Sequence, residues 1–129
     1  MPLLLDTCTL LWLSSDLEGL SPRAKEGLRD HAGDLFVSSI SALECAIKAS
    51  KKKLRLPMDS PEEWFRGVLK QHGVVQVPVN FQIAGKSGEL PDHHRDPYDR
   101  LIVATAMEYG MTIVTPDAIM RKYDVNCLW

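Results

Sequence analysis

Residues 96–117 read DPYDRLIVATAMEYGMTIVTPD, and they indicate the fold class. Asp96 followed by Pro97 is a typical helix start, and Gly110 is a typical helix stop. The apolar run 101–107 between them contains β-branched residues, as strands do, but the length of the segment favours a helix. Residues 111–115 then have the character of a buried strand. A helix that leads directly into a strand is the repeating unit of an α/β fold.

The same alternation continues outward to both ends of the chain. Further strands are predicted over residues 2–6, 35–38, 74–77 and 125–129. Further helices are predicted over residues 9–14, 21–31, 60–73, 80–86 and 117–123, and one from Ser41 into residues 48–55. Strands separated by helices need crossover connections, which make a sheet parallel. We therefore expect a three-layer α/β/α fold with a mainly parallel central sheet of about four to five strands flanked by helices.

Length and composition are those of an ordinary globular domain. The chain has 129 residues, of which 45% are hydrophobic and 25% are charged. Its apolar runs are far shorter than the roughly 20 residues that cross a bilayer. Its N-terminus lacks the basic segment of a signal peptide. These features predict one domain over residues 1–129 that works in the cytoplasm.

The cysteines are isolated from one another and odd in number: Cys8, Cys45 and Cys127. This spacing indicates neither a disulfide framework nor a zinc site. Each cysteine stands in an apolar context, so all three are predicted to be small buried hydrophobes.

The basic residues are concentrated in one segment. The net charge is only −2, but residues 48–55 hold five of the 15 lysines and arginines, which leaves ten basic against 17 acidic residues elsewhere. On a helix, the face that carries Glu44 would also carry Lys48, Lys51, Lys52 and Arg55. Such a stripe is either an ordinary solvated face with a Glu44–Lys48 pair or a track for the phosphates of a nucleic acid.

Four acidic residues stand where strands are predicted to give way to helices: Asp6, Glu44, Asp99 and Asp117. In an open α/β sheet these positions face a ligand-binding crevice. Carboxylates gathered in a crevice repel one another, which raises their pKa values. A hard divalent cation relieves that repulsion, so the pattern points to a metal site.

Each acid also has a purely structural explanation as a helix cap. Asp6 and Asp117 would cap the helices that follow them, and Asp96 is a good N-cap. Glu44 fits the third helical position of a capping box that begins at Ser41. The two interpretations are compatible, because a helix N-terminus favours the ionised carboxylate that a cation requires.

Four motifs follow one another along the chain: Leu3-Leu-Leu-Asp6-Thr7, Ser41-Ala-Leu-Glu44, His94-Arg-Asp-Pro-Tyr-Asp99-Arg-Leu-Ile102 and Thr112-Ile-Val-Thr-Pro-Asp117. Their order and spacing resemble those of PIN domains, in particular the VapC-type toxins of bacterial and archaeal toxin–antitoxin modules. The resemblance covers essentially the whole chain, and residues 94–102 are its most specific part. One departure is Lys52-Lys53-Leu54, where the family usually has Gly-Lys-Leu. This departure puts only the local turn in doubt.

The resemblance implies a PIN-like fold and a metal-dependent endoribonuclease that acts as the toxin of such a pair. The family's acidic quartet is matched by Asp6, Glu44, Asp99 and Asp117, and an additional aspartate of the subgroup by Asp96. We expect one or two Mg²⁺ or Mn²⁺ ions, with Asp6 and Asp99 as the primary ligands. Glu44 and Asp117 would complete the shell directly or through water, and Asp96 would be an accessory ligand.

The resemblance also implies roles for neighbouring residues and partners for the protein. RNA phosphates would be held by the basic segment, through Lys48, Lys51, Lys52 and Arg55. Thr7 and Thr115 would position water or the ligand carboxylates, or would be purely structural. The implied protein partners are a small cognate antitoxin that blocks the acidic groove and a second copy of the chain in a homodimer.

Two other functions stay open from the residues alone. One is a catalytically weak RNA-binding PIN domain, whose mark would be the loss of acids, although all four are present. The other is an aspartate-based phosphotransfer domain of dehalogenase or receiver type, which also has an aspartate after its first strand. The dehalogenase pattern requires a second aspartate where this chain has Cys8.

Neither His93 nor His94 is expected to take a direct part in catalysis. Adjacent side chains do not share a face on regular secondary structure. No third histidine or cysteine completes a metal site with them.

Overall fold

A five-stranded sheet forms the centre of the protein. In the computed structural model, which describes residues 1–129, the strands are β1 (Leu3–Leu5), β2 (Leu35–Ser38), β3 (Val74–Val77), β4 (Thr112–Val114) and β5 (Cys127–Leu128). Their order across the sheet is β3-β2-β1-β4-β5, and every neighbouring pair is parallel. The predicted parallel sheet of four to five strands is confirmed.

Six helices cover the sheet: α1 (Thr7–Ser15), α2 (Pro22–Asp30), α3 (Ser39–Ser50), α4 (Pro61–His72), α5 (Phe81–Glu89) and α6 (Pro97–Tyr109). None of them combines the length and the apolar character that crossing a membrane requires. The strong sequence signals are met: Ser60 caps α4 and Asp96 caps α6, each with proline at the start of the helix.

Two hydrophobic cores lie on opposite faces of the sheet, because the side chains of a strand alternate in direction. Leu3 and Leu5 of β1 belong to the core under α1, α2 and α4, whereas Leu4 belongs to the core under α5 and α6. All three leucines are fully buried, which stabilises the fold by roughly 1.5–3 kcal/mol for each side chain. A strand without polar side chains is typical of a parallel sheet with both faces covered. The result is the predicted three-layer arrangement.

The strand order opens a crevice at the carboxyl ends of β1 and β4. From β1 the chain continues to β2 and β3 on one side of the sheet, and it returns to β4 on the other side. The connections that follow β1 and β4 therefore diverge, and such a switch point is where open α/β sheets bind ligands. Asp6 follows β1 directly, and Thr115 follows β4 directly.

The start of α3 differs from the prediction. The helix begins at Ser39, and Ser38 is its N-cap, with its hydroxyl accepting from the Ile40 N–H over 3.1 Å. The predicted capping box of Ser41 and Glu44 is therefore wrong. The physical reason is that β2 leads into α3 without a loop, so the last residue of the strand already supplies the cap.

Two later helices also differ from the predictions. The predicted helix over residues 117–123 is wrong, since only a short 3-10 turn forms over Met120–Lys122. The chain has to return to the sheet as β5 within a few residues, which leaves no room for an α-helix. Helix α5 begins as predicted but continues to Glu89 instead of ending at residue 86.

Helix α3 ends in a left-handed turn at Lys52. This lysine has a φ of 57° and is the only non-glycine residue with positive φ, and the N–H of Lys53 donates to the carbonyl of Lys48 over 2.9 Å. This is the pattern of a Schellman motif, whose left-handed position favours glycine. It is the position at which the chain departs from the Gly-Lys-Leu of the family it resembles. The predicted basic stripe is therefore wrong beyond Lys48, because Lys51, Lys52 and Arg55 lie at or past the helix end.

The cysteines differ in their burial. Cys45 is buried and Cys127 is half-buried, but Cys8 is exposed. The prediction of a buried thiol is wrong for Cys8, which is the second residue of α1 and lies beside the open crevice. No disulfide forms, as expected.

The left-handed turn predicts the effect of a glycine substitution. Lys52→Gly removes the Cβ that disfavours positive φ, and we expect it to raise the free energy of unfolding by about 0.5–1 kcal/mol. Lys51→Gly is the matched control, because Lys51 has a φ of −89° and glycine there should lower stability. Urea denaturation measures both changes. A loss of stability in Lys52→Gly equal to that in Lys51→Gly would contradict the left-handed assignment.

Candidate metal centre

Asp6 lies at the start of α1, on the edge of the crevice. It is the N-cap of that helix, and its Oδ1 accepts from the Thr9 N–H over 2.8 Å. Its Oδ2 accepts from the hydroxyl of Thr115. The residue is only 5% exposed. Burial raises the pKa of its carboxyl, and the hydrogen bonds from Thr115 and Thr9 oppose that rise.

The hydroxyl of Thr115 connects Asp6, at the end of β1, to Asp117, which follows the neighbouring strand β4. Its Oγ1 donates to Asp6 and accepts from the Asp117 N–H over 3.0 Å. The Oδ1 of Asp117 accepts from the Ile119 N–H over 2.8 Å. Asp117 thus caps a turn, not the predicted helix, and its second carboxylate oxygen, Oδ2, lies 2.9 Å from Nε2 of His94.

Asp99 lies in the first turn of α6, close to Asp96, the N-cap. Burial raises the pKa of Asp99 to about 7, and the carboxylates of Asp96, Glu44 and Asp117 add to this rise while His94 opposes it. Electrostatic repulsion of this kind requires that the carboxylates are near one another. The structure therefore brings the predicted acids together.

Glu44 reaches the crevice from the second turn of α3. Its Oε1 accepts from the hydroxyl of Thr7 over 2.7 Å, and its Oε2 lies 3.1 Å from Nζ of Lys48. The oxygen of Thr7 also lies 2.9 Å from the hydroxyl of Ser41. Because Thr7 directly follows Asp6, these contacts hold α3 against α1 and bring Glu44 to the other acids. A contact between two helices, not a strand end, positions this carboxylate.

His94 lies between two of the acids. Its Nε2 is 2.9 Å from Oδ2 of Asp117 and 3.0 Å from Oδ2 of Asp99. This position of His94 was not predicted, because its partners are carboxylates from other elements and not a further histidine or cysteine. The available signal was the place of His94 just ahead of the N-cap of α6. His93 points elsewhere, and its ring packs edge-on against that of Tyr123.

Comparison with known proteins identifies the family. The sequence matches the family model of the PIN domain over residues 3–126. The chain belongs to the PIN-domain family. This PIN domain is 34% identical over 121 residues to Ribonuclease VapC22 of Mycobacterium tuberculosis, and the match covers 93% of this chain and 90% of that protein.

Solved structures share the fold at low sequence identity. The VapBC2 complex of Rickettsia felis bound to a DNA fragment from its promoter contains a chain that superposes with a TM-score of 0.73 at 16% identity, covering 98% of this chain and 97% of that one. DNA-bound VapBC of Salmonella typhimurium gives a TM-score of 0.69 at 18% identity, covering 98% and 96%. At such identities the likeness concerns the fold alone.

The side chains gathered in this PIN domain fit a hard divalent cation. His94, Asp99 and Asp117 each offer an atom that can bind a metal, and these atoms lie within 4.8 Å of one another. Asp6 and Glu44 are tied to the same crevice by the hydroxyls of Thr115 and Thr7. Carboxylate oxygens are the donors that such cations prefer. A bound cation would also offset the carboxylate repulsion that adds to the effect of burial on the pKa of Asp99.

Most of the predicted RNA-binding residues of the PIN domain lie outside this cluster. Lys48 contacts Glu44 and is part of it. Arg55 lines a separate cleft between α1 and α4, together with Leu11 and Trp64. Lys51 and Lys52 are exposed in the turn after α3. Only Lys48 among the basic residues therefore touches the acids.

The raised pKa of Asp99 predicts how stability depends on pH without a divalent cation. A carboxyl with a pKa of about 7 in the folded protein and roughly 3.9 in the unfolded chain binds its proton more tightly when folded. Its contribution to stability is present below about pH 4 and is lost as the pH rises to about 7. We expect Asp99→Asn to remove this loss of stability. At about pH 8 its free energy of unfolding should be higher than that of the wild type by on the order of 2–4 kcal/mol.

Urea denaturation in EDTA across this pH range measures the effect. Asp30→Asn is the matched control, since Asp30 is exposed at the end of α2. If the free energy of unfolding depends on pH in the same way for Asp99→Asn and the wild type, the pKa of Asp99 is not raised in the folded protein.

Proposed function

We propose that this PIN domain, as one domain over residues 1–129, is a metal-dependent endoribonuclease that hydrolyses RNA phosphodiester bonds. The observation that carries the proposal is the set of acids that converge at the carboxyl ends of β1 and β4 from four separate elements. Burial, with repulsion from the neighbouring acids, raises the pKa of Asp99 to about 7, and Lys48 is the only lysine or arginine paired with any of these acids. The 34% identity to a protein named as a ribonuclease supports the same activity.

The proposed cation ligands are the converging carboxylates. Asp6 and Asp99 are the primary ligands, Glu44 and Asp117 complete the shell directly or through water, and Asp96 is an accessory residue. Oxygen donors suit Mg²⁺ or Mn²⁺, as one or two ions. Held by these residues, such a cation would supply the activation of water and the charge stabilisation that hydrolysis of a phosphodiester needs.

Two threonines orient the ligands. The Thr115 hydroxyl fixes one oxygen of Asp6 and at the same time accepts the Asp117 N–H. The Thr7 hydroxyl fixes one oxygen of Glu44. Of the two roles considered from the sequence, positioning of the ligand carboxylates is thus the better supported. Because each carboxylate oxygen has two lone pairs, an oxygen held by one hydrogen bond can still bind a cation.

Basic side chains are proposed to hold the RNA. Lys48 is the best supported, because its ammonium lies at the acidic cluster and carries the charge that a phosphate needs. Lys51, Lys52 and Arg55 follow on the turn after α3, where they would extend the contact along the RNA backbone. Because these residues lie in a turn, they would contact a short stretch of the RNA backbone. The sequence had predicted a longer row of contacts along one face of a helix.

We propose that the protein is the toxin of a toxin–antitoxin pair. We propose that it acts in the cytoplasm, where its RNA substrate is found. The two similar complexes, from Rickettsia felis and Salmonella typhimurium, are both VapBC assemblies. By analogy we propose a small antitoxin as a partner that blocks the acidic groove. Membership in the PIN family leaves the phosphotransfer alternative without support, whereas a catalytically weak RNA-binding domain is separated from a nuclease by the first experiment below.

Cleavage of RNA should depend on the acids and on the cation. Purified, antitoxin-free protein is incubated with a panel of tRNAs and structured RNAs in the presence of Mg²⁺ or Mn²⁺. We expect discrete cleavage products that disappear in EDTA and fall at least about a hundredfold in Asp6→Asn, because one primary ligand is lost. Asp30→Asn, which changes an exposed acid far from the crevice, should cleave like the wild type.

A gel-shift assay of RNA binding then distinguishes a nuclease from a domain that binds RNA without cleaving it. Binding without cleavage at any cation concentration would favour the catalytically weak RNA-binding alternative. Cleavage that persists in EDTA, or in Asp6→Asn with an intact fold, would contradict the proposed metal mechanism.

A homodimer is proposed as the working form. Phe81 at the start of α5 is 97% exposed, which is unusual for an aromatic side chain, and burying it against a second copy would be favourable by about 1.5–3 kcal/mol. We expect light scattering to give a mass of twice 14.5 kDa. Phe81→Ser should shift the equilibrium to the monomer, whereas Met58→Ser, at a residue 43% exposed, should not. A monomeric wild type would contradict this part of the proposal.

A further inference from the structure

The imidazole of His94 is the one charged or chargeable group that joins two acids of the crevice. Its Nε2 lies 3.0 Å from Oδ2 of Asp99 and 2.9 Å from Oδ2 of Asp117, and its side chain is 13% exposed. Asp99 and Asp117 are also the two acids that, with His94, offer metal-binding atoms within 4.8 Å of one another. The ring nitrogen and a cation would therefore compete for the same two carboxylates.

The other ring nitrogen indicates where the proton resides. The Nδ1 of His94 accepts from the Asp96 N–H over 3.3 Å. In a neutral imidazole, one nitrogen accepts while the other carries the hydrogen. The proton is thus on Nε2, which donates toward Asp99 and Asp117. A nitrogen that carries a hydrogen has no lone pair free for a metal, so this arrangement makes His94 a donor to the acids and not a ligand.

The backbone of His94 is fixed from both sides. Its N–H donates to the Tyr123 hydroxyl over 2.8 Å, and its carbonyl accepts from Nη1 of Arg100 over 3.1 Å. The same guanidinium donates to the carbonyls of Ser87, Leu90 and Pro91 over 2.8, 3.0 and 3.1 Å. Arg100 therefore holds the end of α5 and the loop that leads to α6 through four carbonyl groups. A planar guanidinium with several donors can make this set of bonds, whereas a lysine cannot.

We propose that His94 is a positioning residue that holds Asp99 and Asp117 together when no cation is bound and yields these oxygens to the cation, and that Arg100 fixes it in this place. The inference rests on the proposed cation site. The role of His94 is to offset the repulsion between two like-charged side chains while no cation does so. Without the ring, their repulsion would separate them or force one of them to take up a proton.

This assignment fixes the sign of a measurable effect. A contact made only in the cation-free protein stabilises that form, so its removal favours the cation-bound form. A residue that ligates the cation has the opposite effect, because its removal weakens binding. The change in cation affinity on substitution of His94 thus separates a positioning donor from a ligand.

Calorimetric titration with Mn²⁺ alone measures the affinity. We expect His94→Ala to bind Mn²⁺ about tenfold more tightly than the wild type, which is a modest value for a lost hydrogen bond to a charged group. His94→Gln keeps a side-chain N–H donor and should stay within about threefold of the wild type. His93→Ala is the matched control, since His93 packs on Tyr123 and should not change the affinity. Circular dichroism checks that each variant is folded.

A second measurement does not depend on a His94 variant. At about pH 8, nitrogen–proton NMR correlations of the wild type should show a ring proton of His94 on Nε2. This proton should be protected from exchange with water. Mg²⁺ should abolish that protection. In Arg100→Lys without cation, the signal should be lost to exchange, because the loop is no longer held.

Either measurement can overturn the inference. Weaker or unchanged Mn²⁺ binding by folded His94→Ala contradicts it, as does a proton on Nδ1 or a protected Nε2 proton that survives saturation with Mg²⁺. Neither readout involves RNA, so a failure here leaves the nuclease proposal standing. A wild type that binds no Mn²⁺ would instead remove the cation site itself, and both proposals with it.

Discussion

Repulsion between carboxylates in a partly buried crevice is the constraint on which the rest of this site depends. Asp6, Asp99 and Asp117 meet where the sheet ends, and Glu44 and Asp96 add further negative charge. The protein holds these groups mainly with neutral donors: the hydroxyls of two threonines and the N–H groups at the starts of helices. Such donors fix the position of a carboxylate while leaving its charge in place, so the crevice retains the negative potential that attracts a cation.

The parallel sheet explains why the acids meet at all. Strand order β3-β2-β1-β4-β5 makes β1 the central strand, with the first half of the chain on one side of it and the second half on the other. Asp6 and Asp117 are far apart in sequence, but the pairing of β1 with β4 makes the ends of these strands neighbours. The full burial of Leu3, Leu4 and Leu5 anchors this pairing in both cores. The position of the site is thus a consequence of core packing.

Much of this organisation could be predicted from the sequence, because its signals are local. The strands β2 and β3 and the caps of α4 and α6 follow from apolar runs, serine or aspartate caps and proline. Contacts between elements could not be predicted in this way. Glu44 enters the site through the Thr7 hydroxyl on another helix, and His94 enters it between Asp99 and Asp117. The pattern of apolar and polar residues within one segment does not predict contacts between different segments.

The turn after α3 shows how one residue changes the interpretation of a whole segment. Lysines at helical spacing suggest a stripe on one face, yet the positive φ of Lys52 ends the helix in the middle of that pattern. A lysine at a position that favours glycine hides the stop signal from the sequence. The basic side chains are therefore distributed around a turn, and Lys48 alone remains at the acids.

If the converging acids form a site for a divalent cation, Mn²⁺ should bind there in the folded protein. Anomalous scattering near the manganese absorption edge, from crystals of the antitoxin-free protein soaked in Mn²⁺, shows where the ion binds. We expect an anomalous peak bonded to carboxylate oxygens of Asp6 and Asp99, with Asp117 and Glu44 in direct or water-mediated contact. Crystals that show no peak in the crevice, or a peak bonded only to residues outside it, would rule out a cation site formed by these acids.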